Sequence, residues 1–300
     1  MTRATLMEKI SGVFAPISTP FSADEEVDYE ALVFNLKRYA QTPLAGYLAL
    51  GSNGENRSLD EDEKLRVLET ILAHKAASQV VMACATYDAQ RHTDLFLKRA
   101  AEAGADFGLV LSPGYFRKQM TDEVLYRYFT GVAEAARIPI LLYNAPGFCG
   151  VTLSPDLVGR LSEHPNIVGM KDSASSGIEA FLKFESENFH VLAGSANFLF
   201  PAMLGGSRGG TVSLANSFPE LAVELWQCGQ RRDEQRGWPL QERVTRINQQ
   251  ISGRYGVPGV KAAMDLAGYR GGCPRRPLLP LTAEQRAELG AALRNEGLIP

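Results

Sequence analysis

The chain has 300 residues, of which 45% are hydrophobic and 22% charged, with a formal net charge of −3 at pH 7. This composition is typical of a globular protein that buries a large core without disulfides or metals. It carries no basic block, which argues against binding to nucleic acids or anionic membranes. No apolar run approaches the roughly 20 residues of a membrane span.

The cysteines and the N-terminus indicate a reducing compartment. Cys84, Cys149, Cys228 and Cys273 are scattered and form no Cys-x-x-Cys pair, as expected for free thiols. Residues 1–20 lack the charged region and the apolar stretch of a secretory signal. We therefore expect the protein in the cytoplasm.

Short apolar runs alternate with amphipathic helical stretches along almost the whole chain. Most of these runs are continuously apolar, which is typical of parallel strands that are buried on both faces. In chain order they predict eight strands, at residues 12–17, 46–50, 80–85, 107–111, 139–143, 167–171, 190–193 and 210–214. A helical segment follows each strand, and Ser58 with Glu61 is typical of a capping box at the start of one of them.

The alternation of strands and helices predicts a parallel α/β fold. Eight such units favour a closed (β/α)₈ barrel, the TIM barrel, over an open sheet. Further helices are predicted after about residue 217. We therefore predict a barrel at residues 1–225 and a C-terminal extension, residues 226–300, that is helical and packs on the barrel.

Enzymes with this fold place their sites at the carboxyl ends of the strands. The residues after the predicted strands are rich in hydroxyl groups, tyrosine and glycine, and they include one lysine and no histidine. A catalytic metal would need imidazoles or clustered carboxylates there, and the glycine motifs of nucleotide-binding proteins are absent from the sequence. The sequence therefore predicts neither a metal nor a cofactor.

Lys171 stands out because it ends an otherwise apolar strand. Burial at that position would favour the neutral amine over the ammonium ion. A neutral amine can attack a carbonyl and form a Schiff base, which then draws electrons from the substrate. The alternative is a structural lysine that reaches solvent or pairs with Asp172, and this residue alone does not decide between the two.

The 51–55 loop, Gly-Ser-Asn-Gly-Glu, follows a predicted strand and precedes a helix. Its glycines would let the backbone approach a carboxylate, and its N–H groups could form an anion-binding nest. A plain tight turn is the alternative. Tyr143 and Tyr115 could transfer protons or only line the rim of the barrel.

Three motifs resemble the dihydrodipicolinate synthase / N-acetylneuraminate lyase family. They are Gly-Ser-Asn-Gly-Glu at residues 51–55, Tyr-Asn-Ala-Pro at 143–146 and Gly-Met-Lys-Asp at 169–172. The resemblance covers nearly the whole chain and includes Gly-Val-Pro-Gly-Val-Lys at 256–261. It implies a (β/α)₈ barrel, usually assembled as a homotetramer that is a dimer of dimers. It also implies an aldolase or lyase that acts on pyruvate or another 2-oxo acid without a cofactor.

The resemblance further implies roles for particular residues. Lys171 would form the Schiff base with pyruvate, and Tyr143 would transfer protons. Ser52 and Asn53 would hold the substrate carboxylate. A relay of the synthases, in which a loop hydroxyl meets a tyrosine from the neighbouring subunit, maps to Ser52 and Tyr115. The residues that would line the pocket after strands 7 and 8 are Gly194 and Thr211.

One departure from the family pattern bears on the substrate. Synthases of the family carry an arginine after the tyrosine of strand 5, whereas this chain has Phe148, which cannot make a charge-assisted contact with a second carboxylate. Residues 161–173 and 191–196 are instead similar to 4-hydroxy-2-oxoglutarate aldolase. We therefore expect cleavage of a 4-hydroxy-2-oxo acid, or of a 2-keto-3-deoxy sugar acid, to pyruvate and an aldehyde.

Three alternatives stay open. The protein could be a dihydrodipicolinate synthase that condenses pyruvate with aspartate semialdehyde, although Phe148 argues against this reaction. It could be a non-catalytic barrel that binds 2-oxo acids. It could also be a phosphate-binding barrel enzyme that uses glycine-rich loops around Gly194 and residues 209–210.

Overall fold

The computed structural model describes residues 3–174 and 177–300, in which eight parallel strands close into a barrel. Each strand pairs with the next one in the chain, and the first pairs with the last. The strands are β1 Gly12–Pro16, β2 Gly46–Ala49, β3 Val80–Ala85, β4 Phe107–Leu111, β5 Ile140–Asn144, β6 Ile167–Asp172, β7 His190–Ala193 and β8 Gly209–Thr211. The predicted (β/α)₈ barrel is confirmed.

The strands are buried along their whole length, as the continuous apolar runs indicate. Their inner faces fill the barrel and their outer faces pack against the helices, so that one apolar core serves both layers. The bounds of β3, β4 and β7 are the predicted ones, and most other strand ends differ by one residue.

The last strand, β8, differs most from its prediction. It ends at Thr211, and residues Ser213–Asn216 form a 3₁₀ turn instead of continuing the strand. Val212 and Leu214 are buried all the same, which explains why the apolar pattern extended the strand too far. A Cβ atom on Gly209 would lie 2.0 Å from the Gly12 carbonyl oxygen, so glycine is required where β8 closes against β1.

Helices form the outer layer and the C-terminal extension. They are α1 Arg3–Glu8, α2 Tyr29–Tyr39, α3 Glu61–His74, α4 Gln90–Ala103, α5 Asp122–Ala135, α6 Pro146–Cys149, α7 Pro155–Ser162, α8 Glu179–Leu182, α9 Leu199–Leu204, α10 Pro219–Gln230, α11 Glu234–Asn248, α12 Arg254–Leu266 and α13 Ala283–Asn295. None of the described helices is long and apolar enough to cross a membrane.

The capping box before α3 lies two residues later than predicted. Ser58 belongs to a 3₁₀ turn, and Asp60 accepts the N–H of Glu63 at 2.8 Å while the Glu63 carboxylate accepts the N–H of Asp60 at 3.0 Å. Aspartate caps helices as well as serine does, so both frames fitted the sequence. The short turn in front of the helix decided between them.

The C-terminal extension packs against the last strand–helix units of the barrel. In α11, the amide of Gln241 accepts the N–H of Phe200 and donates to the carbonyl oxygen of Ala196, each at 2.8 Å. The next helix, α12, is bent at Gly256, whose φ of 59° is unfavourable for other residues. The predicted domain boundary at residue 225 stays a prediction.

Candidate active site

Tyr143 and Lys171 lie side by side at the carboxyl ends of β5 and β6. The two residues are register partners in neighbouring parallel strands, so their side chains share one face of the sheet. Lys171 Nζ lies 3.4 Å from the Tyr143 hydroxyl and 4.4 Å from the centre of its ring. Lys171 is 5% and Tyr143 2% exposed, so the amine and the phenol lie together in a buried position.

The next register pair, Asn144 and Asp172, fastens the same two strands together. Asn144 Nδ2 donates to Asp172 Oδ1 at 2.6 Å, and Asn144 Oδ1 accepts the N–H of Leu153 at 3.1 Å. Burial raises the pKa of Asp172. Because side chains alternate along a strand, Asp172 faces away from Lys171, and the alternative in which these two residues form a structural pair is wrong.

The 51–55 loop brings a hydroxyl to this pair. Ser52–Gly54 form a 3₁₀ turn after β2, and Ser52 Oγ lies 3.5 Å from the Tyr143 hydroxyl. The first N–H groups of a helical turn lack an acceptor within that turn, so the N–H groups of Ser52 and Asn53 are suited to an anion. The structure thus brings Ser52, Tyr143 and Lys171 together, with the Tyr143 hydroxyl in contact with both of the others.

The glutamate of the 51–55 loop is not directed toward Tyr143 and Lys171 but toward the C-terminal extension. Glu55 ends the 3₁₀ turn in the left-handed conformation, with a φ of 51°, and its carboxylate is paired with Lys261 Nζ at 2.5 Å. Burial lowers the pKa of Lys261, and the carboxylate opposes that change. Both residues lie within sequence motifs, but neither was assigned a role, because they are far apart in the chain and no local pattern records their contact.

Gly194 and Thr211 lie at the same end of the barrel. The Gly194 N–H donates to the Asp172 carbonyl oxygen at 2.7 Å, and a Cβ atom there would lie 2.0 Å from Ser173 Oγ. Glycine is therefore needed for β7 to end beside β6. Thr211 is buried, and its hydroxyl has no hydrogen-bond partner among the described residues. A ligand in the barrel mouth would be a natural partner for it.

Tyr115 does not join the site within one chain. Its side chain is 80% exposed on the loop after β4, and in the described part of the chain no hydrogen bond links it to Ser52 or Tyr143. Its backbone is fixed, because Asp88 Oδ1 accepts the N–H groups of Gly114 and Tyr115. Phe148, at 67% exposure on α6, is also directed to solvent.

Three further observations on the described residues identify no additional catalytic group at the mouth. No group of three or more metal-binding side chains is found among them. A cavity of about 580 Å³, lined in part by Ser11, His190 and Arg208, opens at the opposite end of the barrel, before β1, β7 and β8. The Cys84 thiol is not suited to act as a nucleophile, since burial raises its pKa to about 12.

The glycine pair at residues 209–210 lies within β8 and not in a loop at the mouth. Glycine is needed at these two positions because a Cβ atom would collide with the backbone of β1 at residue 209 and would crowd Ala193 at residue 210. The loop that the phosphate-binding alternative required after strand 8 is therefore not formed by these glycines.

A closed parallel barrel with a buried lysine beside a tyrosine at the carboxyl ends of its strands is typical of enzymes that use an amine as nucleophile. Comparison with known proteins specifies the family. Residues 9–296 match the model of the dihydrodipicolinate synthetase family, and the chain belongs to this family. It is therefore a lyase of the class I aldolase type, in which a lysine forms a Schiff base.

Relatives from two functional groups are similar over almost the full length. The L-threo-3-deoxy-hexylosonate aldolase of Hypocrea jecorina is 31% identical over 94% of this chain and 95% of that protein. The 4-hydroxy-tetrahydrodipicolinate synthase of an Exiguobacterium species is 30% identical over 94% and 97%. The structure of dihydrodipicolinate synthase from Acinetobacter baumannii, complexed with pyruvate, superposes with a TM-score of 0.91 at 29% identity, covering 97% of this chain and 100% of that one.

Proposed function

We propose that this protein cleaves a 4-hydroxy-2-oxo acid, or a 2-keto-3-deoxy sugar acid, to pyruvate and an aldehyde through a Schiff base on Lys171. One observation carries the proposal: Lys171 Nζ is buried and lies 3.4 Å from the hydroxyl of Tyr143. No acidic side chain forms an ion pair with Lys171 in the described part of the chain. Its amine is therefore free to attack a carbonyl.

The reaction begins when the Lys171 amine attacks the carbonyl carbon at C2 of the substrate. Water leaves and a protonated imine forms, which draws electrons toward its nitrogen. The proton of the C4 hydroxyl passes to a base, the bond between C3 and C4 breaks, and the aldehyde leaves. The resulting enamine takes a proton at C3, and hydrolysis of the imine releases pyruvate and the free amine.

Tyr143 is the group that moves these protons. Its hydroxyl lies within reach of both Lys171 Nζ and Ser52 Oγ, at 3.4 and 3.5 Å, and these distances can shorten when a substrate is bound. Ser52 and Asn53 hold the carboxylate of the substrate through their hydroxyl and N–H groups. Gly194 and Thr211 line the remainder of the pocket.

Tyr115 acts in the neighbouring subunit under this proposal. Its exposed side chain on a loop held by Asp88 is suited to reach the Ser52 hydroxyl of another copy in a homotetramer. Mixed oligomers of Tyr115→Phe and Lys171→Ala subunits test this role, because one subunit then supplies the lysine and the other the tyrosine. Recovery of activity on mixing supports it, and no recovery in confirmed mixed oligomers contradicts it.

The choice of substrate rests on Phe148 and on the relatives. Phe148 offers no charge to the carboxylate of a second substrate, and a hexylosonate aldolase is among the similar proteins. The second candidate is the synthase reaction with aspartate semialdehyde, which the similarity to 4-hydroxy-tetrahydrodipicolinate synthases favours. Parallel assays of cleavage and condensation decide between them, since the proposal requires cleavage to be the faster reaction.

The Schiff base itself is tested by reductive trapping. The intact protein is incubated with pyruvate and borohydride, and its mass is compared with that of protein treated with borohydride alone. A single adduct that peptide mass spectrometry maps to Lys171 supports the proposal. An adduct spread over surface lysines, or no adduct with pyruvate and longer 2-oxo acids, would overturn it in favour of a barrel that only binds.

A further inference from the structure

The 51–55 loop is connected to the C-terminal extension by the side chain of its last residue. The Glu55 carboxylate is buried, forms an ion pair with Lys261 Nζ of α12 at 2.5 Å, and accepts the N–H of Arg275 at 2.9 Å. The loop that carries Ser52 is therefore bonded, through one side chain, to two separate segments of the extension.

Lys261 is itself held in place. Its Nζ donates to the Cys273 carbonyl oxygen at 2.6 Å and lies 4.5 Å from the centre of the Phe21 ring. Both charges of the pair are thus enclosed by protein. If the loop moved away, a charge would stay buried without its partner, which is strongly unfavourable, so the pair permits few positions of the loop.

The other side of the loop is bounded by the end of β1. The Thr19 hydroxyl donates to the Gly54 carbonyl oxygen at 2.8 Å. A Cβ atom on Gly54 would lie 2.9 Å from the Ile17 carbonyl oxygen, so the space at this position suits only glycine. With Gly54 fixed by β1 and Glu55 fixed by the extension, the preceding residues Ser52 and Asn53 have little freedom.

We propose that Glu55 and Lys261 are a positioning pair through which the C-terminal extension sets the carboxylate-binding geometry of Ser52 and Asn53. This inference rests on the proposed function, in which those two residues hold the substrate carboxylate. Neither member of the pair touches the reacting atoms. Their effect is indirect, because a displacement of about 1 Å in a substrate-positioning group can lower a rate by about 100-fold.

A selectivity ratio distinguishes positioning from stability. The rate of reductive trapping with cyanoborohydride is measured for pyruvate and for hydroxyacetone, a ketone of similar size that lacks the carboxylate. The variants are Glu55→Gln, Lys261→Met and the double variant, in which neither charge is left unpaired. We expect the preference for pyruvate to fall about tenfold or more in all three, with trapping of hydroxyacetone nearly unchanged.

The matched control is Arg286→Met. Arg286 lies on α13 and forms an ion pair with Asp265, which is on α12 like Lys261. The substitution therefore removes an ion pair of α12 that does not involve the 51–55 loop. Its preference for pyruvate should equal that of the unchanged protein. Lys261→Arg keeps the charge and should recover part of the preference that Lys261→Met loses.

The outcomes separate this inference from the proposed function. An unchanged pyruvate preference in the folded double variant overturns the positioning pair while the Schiff base stands. An equal loss in Arg286→Met also overturns it, since general loosening of the extension would then suffice. If the unchanged protein traps neither ketone on Lys171, the proposed function fails first and the pair loses its role with it.

Discussion

Lys171 at the barrel mouth and Lys261 in the C-terminal extension are both buried, with 5% and 1% of their surface exposed. Their surroundings differ. Lys261 meets a carboxylate at 2.5 Å and a carbonyl oxygen at 2.6 Å. Among the described residues, Lys171 Nζ contacts the Tyr143 hydroxyl at 3.4 Å and forms no ion pair with a carboxylate.

This difference shows how similar burial can serve opposite purposes. A buried ammonium ion is costly unless it is paired and hydrogen-bonded, and Glu55 with Cys273 supplies those partners to Lys261. The Lys261 amine is therefore engaged in an ion pair and a hydrogen bond. In the described part of the chain Lys171 has no carboxylate partner, and under the proposed function it exchanges its weak contact for a bond to a carbonyl carbon. Burial alone therefore does not identify a nucleophile, and the absence of a carboxylate partner among the described residues is what suits Lys171 to the proposed role.

The largest expected effect on turnover follows from removing Lys171. Lys171→Ala should lower turnover by about 10⁴-fold or more, as loss of a covalent nucleophile does in other enzymes. Stability should change little or rise, because no buried partner loses its charge. Steady-state kinetics and thermal unfolding check both parts. Appreciable activity in this variant would sink the mechanism.

The neighbouring phenol should have the next largest effect. Tyr143→Phe should lower turnover by about 10²–10³-fold, the usual contribution of a proton-transfer group, while reductive trapping still gives some adduct on Lys171. Tyr47→Phe is the control, since its buried hydroxyl bonds Gln79 and not the pocket. If turnover fell equally in both variants, the loss would reflect packing and not proton transfer.

For the paired lysine we expect, besides the lower preference for pyruvate, a loss of stability that Lys171→Ala does not show. Lys261→Met leaves the Glu55 carboxylate buried without its cation, which should lower the free energy of unfolding by about 3 kcal/mol. Adding Glu55→Gln should restore part of that loss, because the double variant buries no unpaired charge. Urea unfolding of the two single variants and the double variant measures the coupling. Strictly additive losses would contradict the pair.

The smallest effect concerns acid pH. The Arg276 guanidinium lowers the pKa of Glu25 to about 2, and that of Arg275 lowers the pKa of Glu63. A carboxyl whose pKa is lower in the folded state stabilises it above the unfolded pKa, and this contribution is lost as pH falls toward the folded value. Between pH 4.5 and 3, the melting temperature should fall more steeply in the unchanged protein than in Glu25→Gln/Glu63→Gln. Parallel slopes would contradict this.

The strands, and the residues that follow them at the mouth of the barrel, were the parts of the molecule that the sequence predicted best. Continuous runs of apolar residues gave the bounds of β3, β4 and β7. A strand buried on both faces is apolar along its whole length, so its ends are marked by the first polar residues. β8 was misplaced, since Val212 and Leu214 are as apolar as strand residues but lie in or beside a 3₁₀ turn. The capping box was shifted because serine and aspartate cap equally well.

The sequence by itself determined the alternation of strands and helices, the lone lysine at the end of a buried strand, and the family motifs, because each is written within a few consecutive residues. Only the tertiary structure decided which of these two buried lysines is paired with a carboxylate. Glu55 and Lys261 are distant in the chain, and their contact exists because the C-terminal extension folds back over the end of β1 and the 51–55 loop. Charge pairing depends on distances of a few ångströms, which no local pattern of residues records.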